Sequence, residues 1–224
     1  MNKQGKNGIE WCDYTWNPVT GCLHNCSYCY AVKIYKRFKK SFEPIFHPEK
    51  LGEPAKLKNP SKIFVGSTTD LFGEFIPDRW IIDVLDRCDS SPQHTYLFLT
   101  KNPKRYYNLF PLLNTRKNFW LGTTIGQDKT DSHVKSDIMG FFNNSFLSIE
   151  PLTEDISMNV DFEGIDWVII GQQTGTGAVK PKPEWVKGII NHCQDAKVPV
   201  FVKSPLYEQF PIQEWPENMK GGAV

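Results

Sequence analysis

Six short apolar runs punctuate the chain: "KIFVGS" (62–67), "TYLFLTK" (95–101), "FWLGTT" (119–124), "SFLSIE" (145–150), "DWVIIGQ" (166–172) and "VPVFVKS" (198–204). Each is strand length, rich in Val, Ile, Phe and Leu, and lacks alternation of apolar and polar positions. That is how a parallel strand reads when both faces are buried. Amphipathic stretches separate the runs. Residues 76–88 open on Pro-Asp and repeat Ile81, Leu85 and Cys88 at helical spacing. Residues 182–199 place Trp185, Ile189 and Cys193 four apart, and the pattern stops before Pro199, where a strand begins. Residues 132–144 and 103–114 are weaker helix patterns, the second interrupted by Pro111. A seventh strand, "DYTWNPVT" (13–20), is kept short or irregular by Pro18.

Strand alternating with helix predicts a parallel α/β fold. Six or seven βα units favour a (βα) barrel, complete or partial, over a small open sheet. The 224 residues suit one domain, with a core over about 10–204 and a C-terminal tail over 205–224. Phe42–Pro60 is Pro-rich and predicts a long loop or irregular cover. The end, "PENMKGGAV", predicts a frayed terminus.

Composition narrows the setting. The chain is 40% hydrophobic and 23% charged, with a formal net charge of +1. No global field advertises a nucleic acid or a membrane. The polar start "MNKQGKNGIEW" lacks the apolar run of a signal peptide, and no apolar stretch is long enough to span a bilayer. Six cysteines in a chain of this size, three of them clustered, point to a reducing, cytoplasmic setting rather than to disulfides. One local feature departs from neutrality. Lys33–Lys40, "KIYKRFKK", carries five positive charges and no negative one. It reads first as a solvated helix face, with Ile34 and Phe38 turned to the core. Its second reading is a phosphate-contacting surface for a nucleic acid.

The apolar runs end in polar or charged residues: Ser67-Thr68-Thr69-Asp70, Thr100-Lys101, Thr123-Thr124, Glu150, Gln172-Gln173 and Lys203-Ser204. In α/β barrels the site is built at these carboxyl ends.

The densest chemistry is "TGCLHNCSYCYA", with Cys22, Cys26 and Cys29 spaced C-x3-C-x2-C. Thiolates suit iron–sulfur clusters. A zinc site would need a fourth ligand, His24 or Cys12, and zinc sites usually pair their cysteines as two separated C-x2-C units. Cys88 and Cys193 sit on apolar helix faces and read as buried packing. What remains is a [4Fe–4S] cluster with one iron left open.

That spacing, with Tyr28 before the last cysteine, resembles the signature of the radical S-adenosylmethionine (radical SAM) superfamily. Further stretches, "VGSTTDLF", "PQHTYLFLTKNP", "FLSIEPL" and "IDWVIIGQQTGTGA", are similar to a phage-associated, largely uncharacterised family of radical-SAM-like proteins. The likeness runs from about Glu10 to Lys203. It implies that Cys22, Cys26 and Cys29 hold a [4Fe–4S] cluster and that S-adenosylmethionine (SAM) binds its open iron. It also implies reductive cleavage to a 5′-deoxyadenosyl radical, which takes hydrogen from an unidentified substrate. An external one-electron reductant of flavodoxin or ferredoxin type follows from the same chemistry.

By the same resemblance, Gly66, Ser67, Thr68 and Asp70 would receive the SAM ammonium. Lys101, Thr123 or Thr124 would meet its carboxylate. Tyr28, Ile149 and the Gly171–Gln173 strand end would form the adenine slot. Where that family has Gly-Gly-Glu-Ser-Gly, this chain has Gly171-Gln172-Gln173-Thr174-Gly175, so Gln173 can serve only as a hydrogen-bond partner. Lys101, Glu150 and Lys203 are the catalytic candidates. Glu150 also reads as a loop acid, and Trp11 and Trp16 read equally as cluster cover or core. The rival reading is a non-catalytic iron–sulfur or zinc-binding module acting as an accessory protein.

Overall fold

The computed structural model describes residues 1–5, 8–126, 129–175 and 177–219; side chains at 129–131 and 133 are outside the description. The chain divides into two compact units, residues 1–108 and 109–221.

In the first unit the strands are β1 (Asn2–Lys3), β2 (Tyr14–Trp16), β3 (Val19–Thr20), β4 (Ile45–Phe46), β5 (Lys62–Val65) and β6 (Thr95–Thr100). The helices are α1 (Tyr30–Arg37), α2 (Asp78–Asp89) and α3 (Lys104–Asn108). β2, β5 and β6 are neighbours and parallel, with Trp16 opposite Val65 and Val65 opposite Phe98. β1 adds an antiparallel edge to β2. Asn17-Pro18 breaks the predicted seventh strand into β2 and β3, as a proline without an N–H must. β3 pairs antiparallel with β4, so the Pro-rich cover 42–60 contains a strand and two short 3-10 turns. Trp16 is fully buried and donates its indole N–H to the Lys50 carbonyl at 2.9 Å. Trp11 is buried too, with its ring 4.6 Å from Phe64. Both tryptophans are core residues.

The second unit carries α4 (Phe110–Leu113), β7 (Phe119–Ile125), α5 (Lys129–Met139), β8 (Ser145–Ile149), β9 (Trp167–Ile170), α6 (Pro183–Asp195) and β10 (Val200–Val202). Pro111 falls in the first turn of α4, where a missing N–H costs nothing. β7 to β10 lie side by side in chain order, all parallel. Every residue of these four strands is buried, which is why their sequences do not alternate.

The expected parallel α/β class is what forms. Neither four-stranded set closes on itself, so a barrel is not seen within either unit. Among the described residues no helix is long and apolar enough to cross a membrane.

Two expectations are corrected. Residues 216–219, the described part of the end expected to fray, follow a docked segment and finish on a buried Met219. Trp215 stacks 5.0 Å from the fully buried Trp167, the Glu214 backbone N–H donates to Val200 O, and the Glu214 carboxylate accepts from Val200 N–H at 3.0 Å. Met219 is buried, while 220–224 lie outside the described residues. Helix α1 is also turned differently. Ala31 faces inward and Tyr35 packs edge-on against Phe42 at 4.7 Å, whereas Ile34 and Phe38 face solvent. A helix advances about 100° per residue, so the inward stripe runs one position later than the apolar spacing implied.

One cross-strand pair in the second unit makes a direct test. Gly122 lies opposite Phe146, whose ring occupies the space a Cβ at 122 would need. Gly122→Ala should therefore destabilise by about 1–3 kcal/mol. Phe146→Leu in the same chain should recover part of that loss. An unchanged urea midpoint for Gly122→Ala would show that the ring is not held there.

Candidate functional site

The cysteine loop leaves β3 through Gly21, whose φ of 86° is left-handed. A side chain there would run into the Glu43 carbonyl. Gly21 N–H donates to Thr68 O at 3.1 Å, and the Thr69 hydroxyl donates to Gly21 O at 2.5 Å. The loop thus starts stitched to the polar segment that follows β5. That segment turns at Gly66, which also needs positive φ, at 82°.

Asn17 completes the stitch. Its Oδ1 accepts from Thr68 N–H at 3.2 Å, and its side chain exchanges hydrogen bonds with the Ser67 hydroxyl. Sequence reasoning missed Asn17. The signal was the Asn-Pro pair ending an apolar run, a turn marker. Beside it, the Thr68 hydroxyl oxygen is buried with no hydrogen-bond partner among the described residues.

Asp70 is buried and its carboxylate is fully engaged. Oδ2 accepts from Lys101 N–H at 2.8 Å and bonds His24 Nε2 at 2.7 Å; Oδ1 accepts from Phe72 N–H at 3.1 Å. The His24 ring is thereby turned to Asp70 and sits edge-on to Phe75. Lys101, whose backbone serves Asp70, carries its Nζ over the Tyr28 ring, 5.4 Å from the centroid. The first unit therefore sets Lys101 over Tyr28 and holds Gly66, Ser67, Thr68 and Asp70 past the end of β5, with Cys22, Cys26 and Cys29 on the loop stitched to that segment.

The three cysteines are free thiols and half-buried, on one loop that ends with Cys29 capping α1. Burial pushes the Cys22 thiol up to about 11, and the charges of Asp70 and Cys26 add to it. The backbone N–H groups of His24 and Asp70 act the other way, by donating to the sulfur. Without a metal the thiol keeps its proton, so a metal must displace protons to bind. Among the described residues no three or more His, Cys, Asp or Glu side chains are gathered as a metal would need. The donor chemistry nonetheless suits an iron–sulfur cluster: three soft ligands, none of them in a disulfide, beside a buried hydroxyl without a partner.

In the second unit the candidates are placed differently. Thr123 and Thr124 lie at the carboxyl end of β7, before Ile125, as their run predicted, and both are buried. Ile149 is fully buried in β8. Glu150 and Lys203, at the ends of β8 and β10, form an ion pair of 2.5 Å. Each charge thus has a protein partner. Gly171 leaves room for that glutamate, since a Cβ there would lie 2.8 Å from Glu150 Cδ. Gln173 Oε1 accepts from Val179 N–H at 3.0 Å and so ties its own loop. A groove of about 1060 Å³ lies at the opposite, amino ends of β9 and β10, bordered by Asp161, Glu163, Asp166 and Asp195.

A sequence profile of the family described as "Protein of unknown function (DUF5131)" matches residues 6–212, and the chain belongs to that family. The description assigns no activity and no phage link. No curated protein matches the chain. Among solved structures the chain is similar to spore photoproduct lyase, a radical SAM enzyme. A cysteine-to-alanine mutant of that enzyme aligns with a TM-score of 0.56 at 11% identity, over 85% of this chain and 76% of the other. A tyrosine-to-phenylalanine mutant gives 0.55 at 10% identity, with coverage of 85% and 76%. The lyase complexed with dinucleoside spore photoproduct gives 0.51 at 12% identity, covering 81% of this chain and 61% of that one. At such identities the likeness establishes a shared fold.

The Asp70 carboxylate carries three donors from three segments. Asp70→Ala should lower stability by about 2–4 kcal/mol, because buried N–H groups lose a charged acceptor. Asp70→Asn, which keeps one acceptor oxygen, should cost less. Denaturant titration reads both; equal midpoints for wild type and Asp70→Ala would refute the arrangement.

Proposed function

We propose that this member of the DUF5131 family is a radical SAM enzyme, with Cys22, Cys26 and Cys29 as the ligands of a [4Fe–4S] cluster. The observation that carries the reading is the cysteine loop stitched onto the polar end of β5, next to the unpartnered Thr68 hydroxyl. The fold shared with a radical SAM enzyme supports it.

When bound, the cluster and SAM supply reductive cleavage to a 5′-deoxyadenosyl radical, the hard step that the cofactor brings. The protein's part is placement. Cys22, Cys26 and Cys29 would release their thiol protons to solvent and hold iron as thiolates. Thr68 Oγ1 and the carbonyls and hydroxyls of Gly66–Thr69 accept from the SAM ammonium. The Lys101 ammonium, held over Tyr28, is the cation for the SAM carboxylate. Tyr28 gives the ligand an aromatic wall. Asp70 holds His24, Phe72 and Lys101 in place. Glu150 and Lys203 act as a neutral pair, and Gly171 and Gln173 support their strand ends. The substrate enters as a hydrogen-atom donor, and a one-electron reductant supplies the cluster.

Anaerobic reconstitution tests this reading. The chain should take up about four irons and four sulfides and release 5′-deoxyadenosine in the presence of dithionite and SAM. Alanine at any of the three cysteines should abolish both. Thr68→Val should leave iron content unchanged and weaken SAM binding about tenfold, the worth of one good hydrogen bond. Binding of zinc alone, with no iron uptake, would instead support the non-catalytic module.

A further inference from the structure

Helix α1 presents two rows to solvent. One is apolar: Tyr30, Ile34 and Phe38, spaced by four, are 51%, 47% and 65% exposed, and Leu23 on the cysteine loop is 48% exposed. The other is cationic. Lys33 and Arg37 are four apart on the helix with Lys36 beside them, Lys39 and Lys40 follow its C-cap at Phe38, and all five are exposed. None of the five cations forms an ion pair among the described residues. No acidic residue occurs between Tyr30 and Phe42.

The order of these rows around the helix selects a ligand. Helical periodicity places the apolar row between the inward stripe of Ala31 and Tyr35 and the outward cations. An interfacial helix would turn its apolar row outward, with cations on both flanks. Here the cations lie on one flank only, parallel to the apolar row. That matches a single strand of nucleic acid, with phosphates along one row and unstacked bases along the other. Tyr30 begins the apolar row and donates its hydroxyl to Ser67 O at 2.6 Å. The row therefore leads from solvent to the end of β5. Between Tyr30 and Lys40 the tyrosine hydroxyls are the only side-chain acceptors, so little on this face would select for a ribose 2′-hydroxyl.

We propose that α1 and the cysteine loop form a docking surface for single-stranded DNA. The inference rests on the radical SAM reading only for what the strand is for, namely as the hydrogen-atom donor; the docking itself needs neither cluster nor SAM.

The test is fluorescence anisotropy with a labelled single-stranded DNA of roughly 15 nucleotides, over a range of salt, using the anaerobically reconstituted chain. Binding should weaken linearly with log salt. Lys33→Ala with Arg37→Ala should flatten that slope by about 1.4, two phosphate contacts' worth. Phe38→Ala should cut affinity about fivefold or more and leave the slope unchanged. All three positions are exposed, so circular dichroism and the thermal midpoint should match the wild type. Absence of salt-dependent binding, variants that bind as the wild type does, or tighter binding to duplex DNA, to RNA of the same sequence or to phosphatidylserine vesicles would each overturn the proposal. The same preparation assayed for 5′-deoxyadenosine separates this outcome from the other reading. Cleavage of SAM without DNA binding refutes the docking surface alone, and DNA binding without cleavage refutes the enzyme reading alone.

Discussion

A buried carboxylate must be surrounded by donors, and Asp70 is where the first unit meets that demand. Its oxygens bond the His24 ring, the Phe72 N–H and the Lys101 N–H. Those groups come from the cysteine loop, the turn after β5 and the end of β6. Satisfying one charge thus ties three segments together. The cysteine loop could otherwise swing on Gly21. Instead it is held against the strand ends at His24, and the Gly21–Thr68–Thr69 contacts hold its beginning. Lys101 follows: with its backbone committed to Asp70, its side chain is left to lie over Tyr28.

The second unit manages charge differently. Glu150 and Lys203 neutralise each other at the ends of β8 and β10, and Gly171 makes room for the glutamate. A pair that completes itself has less call for a ligand than a buried hydroxyl with no partner. Gln173 serves its own loop, its amide oxygen accepting from Val179 N–H.

The fold is shared with spore photoproduct lyase at identities of 10–12%. A shared fold does not transmit a substrate. The helix that follows the cysteines in this chain is short and nearly unburied, with one apolar and one cationic row. Such a helix gains little from packing and is kept in place mainly by Ala31, Tyr35 and the Tyr30–Ser67 hydrogen bond.

The strands, the two long helices α2 and α6 and the parallel class were legible in the sequence, because buried parallel strands and amphipathic helices write their environment into local apolar spacing. Cys88 and Cys193 were readable as buried packing for the same reason. The cysteine triad was legible as a motif because its spacing is itself local. Partner choice was not. Which oxygen Asp70 offers to which donor, the pairing of Glu150 with Lys203 across 53 residues, and the docking of Trp215 on Trp167 depend on segments that meet only after folding. Thr123 and Thr124 were legible as the carboxyl end of a strand, and β7 runs one residue further, to Ile125. The facing of α1 was misread because Ala31 carries almost no hydrophobic signal, and only the packed structure reveals which stripe of a short helix fits against its neighbours.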